Sequence, residues 1–191
     1  MFVVFVTPVG PYFKGGFATN PYVIIRQYDR AAPLGTGTFK VGGNYAASLR
    51  ANKMAHDAGY ASEFYLDAKE KKYIDECGAA NFFGIKNNTY VTPLSTSILP
   101  SITNRSLMQL AEDMGMKVER RPIPEEELTT FEEAGACGTA AVISLSAELM
   151  TWKTRNHTLL QKTANQALSA KNYTTSCVVS STVTKLIHTD G

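Results

Sequence analysis

A single lysine stands between two glycine-rich turns in the segment GTGTFKVGGNY, residues 35–45. Glycine tolerates positive φ and, because it lacks Cβ, lets the backbone pass close to a neighbour or a ligand. A lysine enclosed by such backbone loses part of its hydration, which favours the neutral amine and prepares it to attack a carbonyl. The same pattern also fits a loop that carries a solvated lysine. Lys40 is therefore a candidate nucleophile, and this assignment needs support from the rest of the sequence.

The hydrophobic pattern predicts a mixture of strands and helices. We expect strands at residues 2–7, 22–28, 64–67, 72–76, 81–86, 90–92, 117–123 and 138–144. We expect helices at residues 46–58 and 103–114, and a short one at 124–128. The first helix should bury a face of Ala46, Leu49, Met54 and Ala58, and the second a face of Leu107, Leu110, Ala111 and Met114. Because strands dominate without regular βαβ alternation, the predicted fold class is strand-rich α+β.

The composition is that of a globular protein, since 44% of the 191 residues are hydrophobic and 19% are charged. The net charge is +2 and both signs are interspersed, so we predict no nucleic-acid partner. The apolar run at residues 2–7 is too short to cross a bilayer, and we predict no membrane partner. Three cysteines without metal or redox spacing favour a cytoplasmic location.

Histidines and cysteines give no sign of a second type of site. His56, His157 and His188 have no partner at ligand spacing, so we predict no metal site. His56 is expected at the surface of the first helix. Cys77 and Cys137 are expected to be small buried side chains rather than nucleophiles.

Five short motifs follow one another along residues 2–144. KVGGNY at 40–45 and DECGAAN at 75–81 are accompanied by PVGPYF, ILPSIT and CGTAA at 8–13, 98–103 and 137–141. Each motif is modest alone, but the five in this order resemble the branched-chain-amino-acid aminotransferases, which are pyridoxal-phosphate enzymes of fold type IV. The resemblance implies the large domain of such an enzyme, with pyridoxal 5′-phosphate as its cofactor.

Three residues would hold the cofactor ring, as the resemblance implies. Lys40 would form the Schiff base with the cofactor aldehyde and carry the α-proton of the substrate, and Tyr45 would hydrogen-bond the phenolic oxygen. Glu76 would face the pyridine nitrogen and keep it protonated, so that negative charge from the substrate Cα can spread into the ring. Without the resemblance, Glu76 would be taken for a solvated strand carboxylate, and Tyr45 equally well for a core aromatic.

Four residues would bind the phosphate and the substrate carboxylate, again by resemblance. Ile102, Thr103 and Thr139 would offer backbone and hydroxyl donors to the phosphate, and the amides of Thr139 and Ala140 would meet the substrate carboxylate. Ile102 and Thr103 stand at the start of the second predicted helix, where unpaired N–H groups suit an anion. Thr103 alone would be read as a helix N-cap, and it can serve both roles.

Two departures from the family bear on domain organisation. The family has a smaller domain ahead of this region that completes the phosphate and substrate pockets, so we expect a site that is open on one face. The resemblance also stops after Ser144. We expect residues 1–144 to form the cofactor-binding domain and residues 145–191 to be a poorly ordered tail, read in a shifted frame, since shifted codons for 145–152 can yield the family-like PIGRIDDLE.

The resemblance implies amino transfer between leucine, isoleucine or valine and 2-oxoglutarate, that is, between small-molecule amino acid and 2-oxo acid substrates. It also implies a homodimer, although the two departures argue against strong activity and against dimerisation for this chain. Two alternatives remain open. One is a D-amino-acid aminotransferase or aminodeoxychorismate lyase, which shares the lysine and glutamate; the other is a non-catalytic remnant that binds the cofactor.

Overall fold

The protein is built around one β-sheet. Its structure, a computed structural model, describes residues 1–8, 20–139, 142–151 and 158–159. The helices in this part are α1 (Gly42–Asp57), α2 (Ile102–Asp113) and a 3-10 helix (Glu125–Thr130). The strands are β1 (Asn20–Ile25), β2 (Ser62–Leu66), β3 (Ile74–Cys77), β4 (Ala80–Lys86), β5 (Thr89–Pro93), β6 (Lys117–Arg121), β7 (Glu133–Gly138), β8 (Val142–Thr151) and β9 (Thr158–Leu159).

Six of these strands close into a ring. Strand β1 pairs in parallel with β2 and β8, whereas the pairs β2–β3, β3–β4, β4–β7 and β7–β8 are antiparallel. Strand β4 closes the ring because one of its edges pairs first with β3, at residues 80–81, and then with β5, at residues 84–86. Strand β6 pairs in parallel with β5 and ends the sheet as described. The ring therefore has an inner and an outer face.

Apolar side chains fill both faces, since strand residues point alternately to one side and the other. The inner face holds an apolar cluster that includes the aromatic residues Tyr22, Phe64, Phe82 and Phe131. On the outer face, α1 packs on β1 and β2 through Ala51 and Ala55, and α2 packs on β4, β5 and β7 through Leu107 and Ala111. The predicted α+β class is confirmed, and the two helices cover different parts of one outer surface.

Helix α1 differs from its prediction. It begins at Gly42, four residues earlier than expected, and ends before Gly59, whose φ of 87° is left-handed as a helix stop requires. Its predicted apolar face is wrong. The helix buries Asn44, Ser48, Ala51 and Ala55, while Leu49 is 69% exposed. The contact face of α1 is formed by small side chains at a spacing of four, three and four residues. The prediction failed because it placed the larger apolar side chains on the buried face.

Helix α2 is close to its prediction. It buries Leu107 and Ala111, and Leu110 and Met114 are partly buried against the same cluster. The exposed position of His56 and the buried positions of Cys77 and Cys137 are also confirmed. No helix in the described ranges is long and apolar enough to cross a membrane.

The strand predictions fail at both ends of the domain. Residues 1–8 form no strand, and Phe2 and Phe5 are 91% and 85% exposed. Both edges of β1 are taken, by β2 and β8, so the apolar N-terminal run has no edge of β1 to join. The single strand predicted at 138–144 is a pair, β7 and β8, that meets in register from Gly135–Leu145 to Gly138–Val142. Strand β7 was not predicted because Glu, Gly and Ala, which make up most of its sequence, are uncommon in strands.

Strand β8 runs across the predicted domain boundary at residue 144. It continues to Thr151, and Leu145 is buried in the cluster beneath α2. Most of the predicted tail, 145–191, lies outside the described residues. The boundary therefore stays a prediction.

Replacing Leu107 by Ala should test the α2 contact. Leu107 is 5% exposed, and truncating such a side chain costs about 2–5 kcal/mol of unfolding free energy. The matched Leu49→Ala change, on the exposed side of α1, should cost less than about 0.5 kcal/mol. Urea unfolding followed by circular dichroism measures both. Equal losses in the two variants would contradict the assigned faces.

Glu133 predicts a pH dependence of stability. This β7 carboxylate is 8% exposed and its Oε2 has no hydrogen-bond partner in the described part of the chain. Burial, and to a lesser degree the charge of Glu132, raises the pKa of Glu133 to about 7. Because the folded pKa lies above the unfolded one, this carboxyl contributes its full stability at low pH and loses it as the pH rises through 7.

The neutral Glu133→Gln variant should therefore gain stability relative to the unmodified chain between pH 5 and pH 8. Unfolding free energies measured at several pH values give the difference directly. The exposed Glu126→Gln variant is the control and should show no such trend. A constant difference for Glu133→Gln would mean that this carboxyl does not titrate in the window.

Candidate active site

The loop that carries Lys40 is held by Asn44, in the first turn of α1. The Asn44 amide donates to the carbonyls of Thr36 and Phe39, at 2.7 and 2.9 Å, and accepts from the Thr36 hydroxyl at 2.9 Å. Asn44 is 6% exposed, so these bonds are shielded from water. One side chain thereby ties the start of α1 to the loop before it and fixes the backbone on both sides of Lys40.

Glycine is required at one position of this loop for close approach. A Cβ placed on Gly37 would lie 2.2 Å from the carbonyl oxygen of Ser97, which real Cβ atoms do not tolerate. The lysine loop therefore packs directly on residues 95–99, the segment before α2. No glycine of this loop has a positive φ. Among described glycines only Gly59 and Gly115 are left-handed.

Lys40 and Tyr45 meet at the start of α1. The Lys40 Nζ donates to the Tyr45 hydroxyl at 3.2 Å and lies 5.2 Å from the centroid of its ring. Tyr45 is half-buried, but Lys40 is exposed, and so is Phe39 beside it. The Lys40 amine and the Tyr45 phenol thus lie together, and the described residues do not enclose the lysine.

Glu76 is a buried carboxylate with a cation beside it. Its side chain is 3% exposed, and its Oε2 lies 3.0 Å from Nη2 of Arg30, whose side chain is 4% exposed. The same oxygen accepts from the Leu99 N–H at 3.1 Å, whereas Oε1 has a contact of only 3.5 Å, from the Asn81 amide. Burial raises the pKa of Glu76 to about 8, although the charges of Arg30 and, more weakly, Lys40 act to lower it. Glu76 and the lysine loop therefore interact electrostatically.

The sheet register explains why Glu76 points to the outer face. Glu76 on β3 pairs with Asn81 on β4, which pairs with Cys137 on β7. Directly paired residues project to the same side of a sheet. Cys137 packs in the cluster beneath α2. Burial, and to a lesser degree the Glu76 charge, raises the pKa of its thiol. Glu76 therefore lies on the helix-covered face rather than inside the ring.

The start of α2 supplies the predicted anion donors. Ser101 is its N-cap, and its hydroxyl accepts from the N–H of Asn104 at 3.2 Å. The capping role considered for Thr103 thus belongs to Ser101, two positions earlier. The N–H groups of Ile102 and Thr103 lie in the first turn, where no helical carbonyl can accept from them. Ile102 is 69% exposed and Thr103 is half-buried.

Thr139 and Ala140 stand between β7 and β8. Thr139 is exposed in the turn after Gly138, and a Cβ on Gly138 would meet Ala79 and Ala80, in and after the β3–β4 turn, at 3.6–3.7 Å. The β7–β8 turn therefore lies beside the turn that follows Glu76. Ala140 is outside the described residues, so its predicted role is untested.

A cavity of about 120 Å³ opens between the lysine loop and α2. It is bordered by neighbours of the predicted residues rather than by those residues themselves, among them Thr38, Asn81, Leu99 and Ser101. The structure thus brings Lys40 and Tyr45 into contact and places Glu76 against the segment before α2. It does not place Thr103 or Thr139 in contact with Lys40.

Two residues of this arrangement had no predicted role in the sequence analysis. Arg30 pairs with Glu76 across 46 positions, and Asn44 secures the lysine loop. The Arg-Ala-Ala-Pro run around Arg30 gave no signal, because a partner so far along the chain is visible only after folding. Asn44 stood inside a quoted motif but had no assigned role.

The donor set can be compared with what pyridoxal phosphate needs. An amine for its aldehyde is present at Lys40, a hydroxyl at Tyr45, a carboxylate at Glu76 and a helix start for the phosphate at Ile102 and Thr103. The chemical types fit the cofactor. The weakly engaged Oε1 of Glu76 is the carboxylate oxygen with accepting capacity left for a protonated ring nitrogen.

Comparison with known proteins agrees with this chemistry. The profile of the family described as "Amino-transferase class IV" matches residues 3–146. The chain belongs to the class IV aminotransferase family. It is 54% identical over 152 residues to the branched-chain-amino-acid aminotransferase of Helicobacter pylori, an alignment that covers 78% of this chain and 45% of that protein.

Solved structures of class IV aminotransferases share the fold. The branched-chain amino acid aminotransferase of Escherichia coli superposes with a TM-score of 0.65 and 30% identity, covering 72% of this chain and 46% of that one. The enzyme of Thermobaculum terrenum in its PLP form superposes with a TM-score of 0.64 and 26% identity, covering 71% and 44%. The chain spans about half the length of the relatives it matches.

Asn44→Ala should loosen the lysine loop. Loss of the amide leaves two carbonyls and one hydroxyl in a shielded site without their partner, which costs about 1–3 kcal/mol of unfolding free energy. Hydrogen exchange should rise at residues 36–41, as mass spectrometry can measure. Gln109→Ala removes an exposed amide from α2 and is the control, with an expected cost below about 0.5 kcal/mol. Unchanged exchange at 36–41 in Asn44→Ala would show that the loop is held by other contacts.

Proposed function

We propose that this chain is the cofactor-binding part of a branched-chain-amino-acid aminotransferase, which moves an amino group between leucine, isoleucine or valine and 2-oxoglutarate. The observation that carries the proposal is the hydrogen bond between the Lys40 amine and the Tyr45 hydroxyl at 3.2 Å, in a chain that also holds the buried Glu76 carboxylate against Arg30 and the Leu99 N–H.

Each residue has a distinct role in this proposal. Pyridoxal 5′-phosphate, when bound, supplies an aldehyde for amines and a ring that accepts electrons. Lys40 would hold the cofactor covalently and move a proton at the substrate Cα, while the Tyr45 hydroxyl would donate to a ring oxygen. Glu76 Oε1 would accept from the protonated ring nitrogen. The assignment of these roles follows the family resemblance together with the contacts of the three side chains.

Phosphate and substrate carboxylate are assigned to backbone donors. The N–H groups of Ile102 and Thr103, at the positive end of α2, suit the phosphate, with Thr139 as a further donor. The amides of Thr139 and Ala140 are assigned to the substrate carboxylate. The identity of 54% to a protein named branched-chain-amino-acid aminotransferase supports the choice of substrate class over D-amino acids or aminodeoxychorismate.

Assembly and location extend the same proposal. We expect a cytoplasmic protein, which agrees with the free thiols of Cys77 and Cys137. Association into a homodimer is the state that the family resemblance implies. The exposure of Lys40 predicts that this chain, by itself, excludes water from the site poorly, so turnover should be low.

The first test is cofactor attachment. Adding pyridoxal phosphate should give an absorbance near the visible edge, and borohydride reduction should then leave the cofactor mass on the peptide that contains Lys40. Lys40→Ala should abolish both signals. Lys53→Ala removes an exposed lysine that pairs only with Asp57 in α1 and should keep both. Attachment at other lysines, with Lys40 unmodified, would contradict the assignment.

The second test separates the reactions that share this chemistry. Amino transfer from leucine to 2-oxoglutarate, above the background of the Lys40→Ala variant, supports the proposed activity. A preference for D-alanine would assign the chain to the D-amino-acid group. Attachment of the cofactor without any transfer would leave a non-catalytic cofactor-binding protein.

A further inference from the structure

We propose that Arg30 is a positioning residue of the cofactor site: its guanidinium clamps the Glu76 carboxylate to the segment before α2 and leaves Oε1 as the oxygen that meets the ring nitrogen. The inference rests on the proposed function, since it names a further residue for the same site. Arg30 is 4% exposed, and an arginine is rarely buried to this extent unless its charge is paired.

The guanidinium makes two different contacts. Its Nη2 lies 3.0 Å from Glu76 Oε2, and its Nη1 donates to the Ser97 carbonyl at 2.7 Å. Its Nε has no partner among the described residues. Arg30 therefore joins the carboxylate of β3 to the loop before α2, and the planar fork fixes the direction between them.

The segment before α2, which Arg30 contacts at Ser97, also packs against the lysine loop. Gly37 packs against the backbone of Ser97, and the Ser97 hydroxyl donates to Asp75, the residue before Glu76. The Leu99 N–H donates to Glu76 Oε2. Arg30 thus stands where the lysine loop, the segment before α2 and the carboxylate come together.

A second buried carboxylate, that of Glu63, has hydrogen-bond partners on both oxygens and leaves neither for a ligand. Glu63 is fully buried, and both of its oxygens are satisfied: Oε2 accepts from Asn52 at 2.9 Å and from Ser62 at 3.2 Å, and Oε1 accepts from Tyr65 at 3.0 Å. No arginine contacts it in the described part of the chain. Glu76, by contrast, has a cation and one oxygen with only a 3.5 Å contact.

The proposed role of Glu76 requires that its two carboxylate oxygens have different partners. An unpaired carboxylate this deeply buried would take up a proton, and a protonated carboxyl does not hold a proton on a ring nitrogen. A cation on Oε2 favours the ionised form and leaves Oε1 free to accept. The charged and titratable groups that interact electrostatically with Glu76 are Arg30, Lys40, Asp75, Cys77 and Cys137.

Pyridoxal phosphate binding to the full chain tests the inference with three variants. Arg30→Met removes the charge, Arg30→Lys keeps it without the fork, and Arg50→Met removes an exposed arginine of α1 as the control. We expect Arg30→Met to weaken binding about tenfold or more at pH 8, equivalent to about 1.4 kcal/mol, with a smaller loss at pH 6. Arg30→Lys should recover part of the affinity, and Arg50→Met should bind like the unmodified chain.

A measurement without cofactor covers the case in which Arg30→Met folds poorly. Unfolding free energies of Arg30→Met, Glu76→Gln and the double variant form a cycle. Breaking a buried pair leaves a lone charge, so the double variant should be more stable than Arg30→Met alone. A double variant as unstable as the sum of the two single changes would mean that Arg30 acts only through Ser97, and it would overturn the inference.

The outcomes separate this inference from the proposed function. If the unmodified chain takes up no pyridoxal phosphate, the proposed function fails and Arg30 is no part of a cofactor site, whatever the cycle gives. If the unmodified chain binds and Arg30→Met binds equally well with the same pH profile, the proposed function stands and the role of Arg30 is overturned.

Discussion

The arrangement of the site depends on a carboxyl group that is buried beneath the protein surface. Glu76 is almost fully enclosed, and burial raises its pKa to about 8, while neighbouring cations and N–H donors favour its ionised form. Arg30, the Leu99 N–H and the more distant Lys40 provide them. Because these partners come from three separate segments, satisfying one charge draws together the lysine loop, the strand β3 and the segment before α2.

The closed ring of strands makes this meeting possible. In the ring, β3 and β4 lie beside β7, so Glu76, Asn81 and Cys137 form one row on the outer face. Helices α1 and α2 cover that face on different strands, and the loops before them touch at Gly37 and Ser97. The segment before α2 reaches the row directly, because Asn81 and Glu76 both hydrogen-bond to the backbone of Leu99.

Local patterns predicted much of this, and long-range contacts account for what they missed. Alternating apolar runs and turn residues located β2, β4, β5, β6 and α2, because those signals lie within a few positions. The register of β7, the contact face of α1 and the pairing of Arg30 with Glu76 depend on partners far along the chain. The motifs indicated Lys40, Tyr45 and Glu76 as site residues, and these roles stay predictions. The motifs could not show that Lys40 is exposed while Glu76 is enclosed.

The last strand of the sheet has a further consequence for the behaviour of the protein at high concentration. Strand β6 has Lys117, Glu119, Arg120 and Arg121 among its five residues, and it is largely exposed. A strand from another molecule that added to this edge would have to strip water from these charges. Among the described strands, the sheet therefore ends in one whose charges oppose intermolecular β-pairing and fibril growth from this side.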